Sequence, residues 1–306
     1  MEELFTTAFW GFLIFSGIRF ATPMIYASLG GLFSERSGVI NIALEGLMLS
    51  GAFTAAVITY QTGNPWFGFF CGVLSGGILG FIYAFIVIHF EADQVVTGVG
   101  INFLMLGLPA LISGALYGSP GSTEQIDKAN LLPSFFNLNV ATILVFLLVP
   151  FVWYVLYKTP FGLRLRAVGE NPGAADAAGV SVYRIRYTAV IISGLLAAAG
   201  GAYLSIGQSS FFTRGMSAGK GFIALAALIL AKWRPVQALL ACLFFGLMEA
   251  FATQVQGSSW AKIGGEEIPV QFIEMLPYVL TIVVLAGFIG LSRSPKALGN
   301  PYRKES

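Results

Sequence analysis

Nine stretches of apolar sequence follow one another through the 306-residue chain, each bounded by charges or by Gly, Pro and Asn clusters. They fall near 5–32, 38–60, 66–89, 94–117, 138–157, 187–207, 219–231, 235–256 and 271–291. A helix needs roughly 20 apolar residues to cross the hydrocarbon core of a bilayer, and all but one of these runs reach that length. The exception, 219–231, is either a broken half-helix or is extended by its flanks, so the expected count is about nine spans, with eight to ten as the range. Composition agrees: 56% of residues are hydrophobic and only 10% charged, against about 25% charged in a soluble protein. A soluble enzyme, a secreted domain and a disordered chain are excluded. The net charge of +2 is too small to suggest a nucleic-acid partner. The expected fold class is an all-α polytopic bundle of membrane helices, with 27 Phe and 37 Gly suited to helices packed in lipid.

Basic residues in the connections set the orientation. Alternate loops place Arg36, Lys158, Arg164, Arg166, Arg184, Arg186, Lys232, Arg234, Arg293, Lys296, Arg303 and Lys304 on one side, against Lys128, Arg214 and Lys262 on the other. The rich side is expected to be cytoplasmic, with the N-terminus outside and the C-terminus inside. The acidic start, Glu2-Glu3, is unlike the basic start of a secretory signal, so the first span is expected to remain. Cys71 and Cys242 lie inside apolar runs and are read as small core residues, not a bridge.

Two connections exceed turn length. Residues 118–137 form an expected outer loop, and 158–186 are the most polar continuous stretch, with five basic and two acidic residues. At its centre Gly169-Glu170-Asn171-Pro172 reads as a helix start, since Asn caps and Pro suits the first turn. Ala174, Ala175, Ala177 and Ala178 favour helix, and Gly179 stops it. The spacing therefore predicts a short helix over 171–179 outside the membrane, either held in a partner's groove or serving as a surface connector.

The run from Gly162-Leu163-Arg164 through Gly169-Glu170-Asn171-Pro172 to Ala178-Gly179-Val180 resembles the coupling loop of the branched-chain amino acid/ribose-type family of ABC-transporter permeases. A second hallmark lies near the start: Glu35-Arg36-Ser37-Gly38-Val39-Ile40-Asn41, followed by Glu45-Gly46, resembles the simple-sugar and nucleoside branch. Similarity extends over about residues 20–292, and the chain looks like the shorter of the two permeases typical of that branch. The resemblance implies a type II ABC importer-like bundle, with 1–306 as a single permease domain and 158–186 as its coupling loop. It also implies that a helix at 169–180 docks on a cytoplasmic ATPase through Gly169, Glu170, Asn171, Pro172, Ala175, Ala178 and Gly179. The implied partners are a second related permease, cytoplasmic ATP-binding subunits and an extracytoplasmic substrate-binding lipoprotein, in a bacterial inner membrane. ATP and Mg would sit on the partner ATPase, with no cofactor on this chain. A nucleoside is the leading solute; a simple sugar or riboflavin, or ion-coupled secondary transport, are the alternatives.

Polar residues inside spans mark candidate positions on the translocation path. Asn41 and Glu45, four apart, would share one face of a helix, either lining the path or satisfying a backbone break near Ser37-Gly38. Gln94, Thr97 and Asn102 in the fourth span and Glu249 and Gln254 in the eighth are further candidates, with interhelical pairing as the competing reading. Gly72, Gly76 and Gly80 repeat every four residues as a packing strip, within the subunit or against a second permease. Gly38–Ala43 and Gly221–Ala226 echo one another weakly, as an inverted repeat would produce. Enzymatic readings fail. The Gly215–Gly221 run lacks the spacing and the Ser/Thr of a phosphate-binding loop. His89, the single histidine, has no second ligand nearby for a metal.

Overall fold

The computed structural model describes residues 7–135, 138–256 and 294–304, together with 262–263, 266–267 and the single positions 275, 279 and 283. The expected span 271–291 otherwise lies outside the described residues. Ten α-helices are seen among them: α1 Thr7–Arg36, α2 Leu44–Thr62, α3 Pro65–Ala84, α4 Gln94–Tyr117, α5 Val140–Lys158, α6 Pro160–Glu170, α7 Pro172–Ala177, α8 Val182–Ala202, α9 Lys220–Leu230 and α10 Pro235–Gln256. Both α3 and α8 run on into π-helical turns, at Phe85–His89 and Tyr203–Ser209. Two-residue strands at Ser134–Phe135 and Leu138–Asn139 form a small hairpin before α5.

Local chemistry accounts for many of the boundaries. The side chain of Asn64 accepts the amides of Trp66 and Phe67 and Pro65 opens α3; Asp93 caps α4 through the Val96 amide, at 2.8 Å; Asn139 caps α5 through Ala141, at 3.0 Å. Gly63 and Gly118 end α2 and α4 in the left-handed conformation, with φ of 66° in each case.

Six of the described helices are long and apolar enough to cross a membrane, namely α1, α3, α4, α5, α8 and α10. The seventh long helix, α2, is not among them and does not need to be. It is buried along most of its length by α3 and α8, with α4 and α9 against its remaining faces. Apolarity is demanded only where a helix meets lipid, so α2 carries Glu45, Ser50 and Thr59 buried. The glycine strip at Gly72, Gly76 and Gly80 lies inside the subunit: a methyl group on Gly76 would overlap the carbonyl oxygen of Gly194 in α8. Tyr26 of α1 donates to the Ala141 carbonyl of α5 at 2.8 Å. Cys71 and Cys242 are both free thiols.

Two boundaries and one proposed echo differ from the sequence reading. The second span begins at Leu44, not near 38, and 38–43 is irregular backbone. Gly38–Ala43 is therefore non-helical whereas Gly221–Ala226 belongs to α9, so the echo between them does not extend to conformation. Finally, 158–186 contains two helices in place of one, because Thr159 accepts the Gly162 amide and Pro160 opens α6 before Asn171 opens α7.

The connections segregate to two ends. Arg36 reaches the Trp233 carbonyl, Gly169 meets residue 297, and Arg303 meets Glu91. At the opposite end Thr123 bonds Phe212, Ile126 bonds Ser210 and Leu132 bonds Ile206. This is the alternation of loops expected from the basic residues. Helix α9 has 11 residues, and at 1.5 Å per residue it covers only about 16 Å, half of a bilayer core.

Candidate functional site

Breaking a helix inside a membrane leaves amides and carbonyls that lipid cannot satisfy, at several kcal/mol each. The break at 37–43 between α1 and α2 is met by side chains from four helices. Ser34 donates to the Val39 carbonyl at 2.8 Å. Gln94 accepts the Ile40 amide at 2.8 Å, and the Tyr83 hydroxyl lies 2.5 Å from the Ile40 carbonyl and 3.0 Å from that of Gln94. Asn102 serves both sides of the α2 start, donating to the Ile42 carbonyl at 2.9 Å and accepting the Gly46 amide at 2.7 Å. Asn41 lies on the irregular segment and not on α2; it is fully buried and donates to Ser193 Oγ at 2.8 Å.

The second break precedes α9, and Glu45 in the first turn of α2 closes it. Its carboxylate accepts Ser217 Oγ at 2.6 Å and the amides of Gly219 and Gly221 at 2.8 and 2.7 Å. Amides at a helix start are unpaired and carry partial positive charge, so a carboxylate is the group best suited to them. The cation next to it is also paired: Lys220 Nζ lies 2.5 Å from Glu249 Oε1 and 6.0 Å from the centre of the Phe20 ring. All five path candidates, Asn41, Glu45, Gln94, Asn102 and Glu249, thus converge on the place where α2 and α9 begin. Thr97 donates to the Asp93 carbonyl within α4 and is not part of this group.

The polar hairpin lies at the end that carries Arg36. Asn171 accepts the Ala174 amide at 3.0 Å and opens α7, and Gly179 turns the chain back with φ of 82°. Val168, Ala175 and Val182 form a small core joining α6, α7 and the start of α8. Ala175 therefore faces its own chain, while Glu170, Asn171, Ala174, Ala177, Ala178 and Gly179 are exposed. Gly169 is buried against α1, where a β-carbon would overlap the Arg36 carbonyl oxygen.

A cavity of about 770 Å³ opens at the opposite end, between the first half of α1, the 128–139 segment and the π-helical turn after α8. Phe12, Phe15, Arg19, Lys128, Asn139 and Gln208 are among its lining residues. The side-chain oxygen of Gln208 is buried with no hydrogen-bond partner among the described residues. None of the five path candidates is among the described residues that line it.

The family model described as branched-chain amino acid transport system, permease component, matches residues 13–285. The chain belongs to this permease family. Among its relatives is the guanosine ABC transporter permease NupQ of Bacillus subtilis, 41% identical over 93% of this chain and 94% of that protein. The nucleoside ABC transporter permease NupC of Lactococcus lactis is 38% identical, again over 93% of this chain and 94% of its own. A second Bacillus subtilis guanosine permease, NupP, is 28% identical over 88% of this chain and 78% of that one. The permease is a multi-pass membrane transport component and not an enzyme.

Several residues of this permease's junctions escaped the reading by sequence. Ser217 and Ser193 pair through tertiary contact, and nothing in their local sequence marks them, whereas Lys220 carries a signal as a cation at the start of the apolar run 219–231. Glu35 is buried and accepts Trp233 Nε1 at 2.5 Å; its place in the Glu35-Arg36-Ser37-Gly38 run was the available signal. Arg19, Asn139 and Gln208 of the cavity lie on different elements and carry no shared pattern.

Proposed function

We propose that this permease is the membrane-spanning subunit of a bacterial ABC importer for nucleosides, located in the inner membrane with its C-terminus in the cytoplasm. The observation that carries the reading is the identity of 41% and 38% with permeases named for guanosine and nucleoside transport, each over 93% of the chain. That Bacillus subtilis has two guanosine permeases similar to this chain supports pairing with a second, related permease in a type II architecture. The exposed face of α7, with Ala174, Ala177 and Ala178, is the surface offered to a cytoplasmic ATPase, on which ATP and Mg would act. An extracytoplasmic lipoprotein would deliver the solute to the loop-bearing outer end. There the cavity offers aromatic faces from Phe12 and Phe15 beside the side-chain oxygen of Gln208, which has no partner among the described residues, a combination suited to a flat base with polar edges. Ion coupling is disfavoured, because Glu45 and Glu249 are both already engaged by protein donors.

The test is reconstitution with the partner permease, ATPases and capture protein in vesicles, measuring uptake of labelled guanosine. Uptake should require ATP and should be competed by nucleosides but not by ribose or riboflavin. Uptake that persists without ATP and collapses with the proton gradient would refute the proposal; competition by ribose or riboflavin alone would reassign the solute.

A further inference from the structure

The segment 294–304 follows the last span, and in the sequence it contributes only basic charge to one face. In the structure it is an ordered crosspiece. Pro295 and Ala297 are buried, and the chain turns tightly, with the Leu298 amide on the Pro295 carbonyl and the Asn300 amide on that of Ala297, both at 3.1 Å.

Two of its amides reach different elements. Ala297 N–H donates to the Gly169 carbonyl at 2.9 Å, at the end of α6, and Gly299 N–H donates to the Gly38 carbonyl at 3.1 Å, in the α1–α2 break. Arg186, near the start of α8 and only 2% exposed, donates to Ser37 through Nε at 3.2 Å and to Asn300 through Nη1 at 3.1 Å. Carbonyls meet the guanidinium from both the break and the segment, at Nε and Nη1, while Nη2 has no hydrogen-bond partner among the described residues. Tyr302 packs on the Val168–Ala175–Val182 core, with its ring centre 5.7 Å from that of Tyr183. Arg303 pairs with Glu91 at 2.6 Å, an exposed contact of little energetic weight.

We infer that residues 295–302 are a cross-tie that makes the α6–α7 hairpin and the α1–α2 break move as one body. The inference rests on the importer reading for what drives the hairpin. The path is short: α7 is held to Gly169 through α6, Gly169 and Gly38 are bridged by the tie, and the break leads into α2, whose Glu45 holds the start of α9. Among the described residues, the tie adds to the direct packing of Gly169 against the Arg36 carbonyl and Gly38. Ala297, Gly299 and Tyr302 are therefore positioning residues for coupling, away from any solute.

The experiment uses the complete reconstituted transporter and measures both ATP hydrolysed and solute imported. Ala297→Pro removes the amide that reaches Gly169, and a chain ending at Lys296 removes the tie. Both should retain the ATPase subunits and continue to hydrolyse ATP, while solute imported per ATP falls at least tenfold. An unchanged ratio overturns the inference, and so does loss of ATPase binding, which would make the segment part of the docking surface. As a control on folding, both variants should match the native chain in Tm, and Arg303→Ala, which removes only the exposed pair with Glu91, should leave solute imported per ATP unchanged. A tenfold fall in Arg303→Ala as well would show that the ratio does not report on the tie and would overturn the inference. Failure of the importer reading is visible separately, as absence of any ATPase from the unaltered complex.

Discussion

The carboxylate of Glu45, at the start of α2, accepts the backbone amide of Gly221, near the start of α9, at 2.7 Å. Two helices that begin inside the bundle are thereby joined at their positive ends through one anion. Only 8% of Glu45 is exposed, and its bonds to Ser217, Gly219 and Gly221 replace the hydration that the group loses.

Glu45→Gln removes the charge and sets an amide donor against backbone donors. A loss of about 1–3 kcal/mol is expected, the cost of leaving a buried polar group unpaired. It should appear as a lower Tm of the purified chain in detergent. Unchanged melting with abolished uptake would instead place Glu45 on the solute path.

Lys220 and Glu249 form the adjacent ion pair, with the side chain of Glu249 27% exposed. Lys220→Met leaves the carboxylate unpaired, and the loss should be smaller than the roughly 3–5 kcal/mol of a fully buried pair. Adding Glu249→Gln should recover part of it. The check is a double-mutant cycle on thermal melting, in which strict additivity would show that the two side chains do not interact.

On the hairpin, exposed and buried alanines should separate two effects. Ala174→Glu or Ala177→Trp should abolish co-purification of the ATPase and leave Tm unchanged. Ala175→Trp, which must displace Val168 and Val182, should lower Tm as well. Equal behaviour of the three variants in both assays would contradict the assigned faces.

At the outer cavity, Gln208→Leu removes the buried oxygen that has no partner among the described residues. If that oxygen receives a solute donor, KM for uptake should rise about five- to thirtyfold, which corresponds to about 1–2 kcal/mol. The kcat should change little, and Tm should hold or increase. A KM identical to that of the native chain would remove Gln208 from the path.

The long spans and the grouping of loops were legible because both follow from properties local to each segment, apolar length and basic flanks. The start of α7 was legible for the same reason, since Asn171 and Pro172 are neighbours. Thr159-Pro160 carries the same signal at the start of α6, but a polar stretch that follows a span reads as a loop. The break at 38–43 was only partly visible. Its residues Val39, Ile40 and Ile42 are as apolar as a helix interior, and the groups that make a break tolerable, Tyr83, Gln94 and Asn102, lie on other spans. The same holds for Glu45: a carboxylate in an apolar run announces that a partner exists, but Gly221 is distant in sequence and recognises it through its backbone, which leaves no trace in residue type.

The enclosure of α2 bears on how the chain is made. This helix is synthesised before α3, and well before α8 and α9, which complete its surroundings and give Glu45 its donors. A newly inserted α2 therefore waits in the membrane with the Glu45 carboxylate unmet. Its final seat is taken only after most of the polypeptide has left the ribosome. Lesions in α8 or α9 should consequently register first as rapid degradation of the whole chain, through an α2 that never settles, and only secondarily as slower transport.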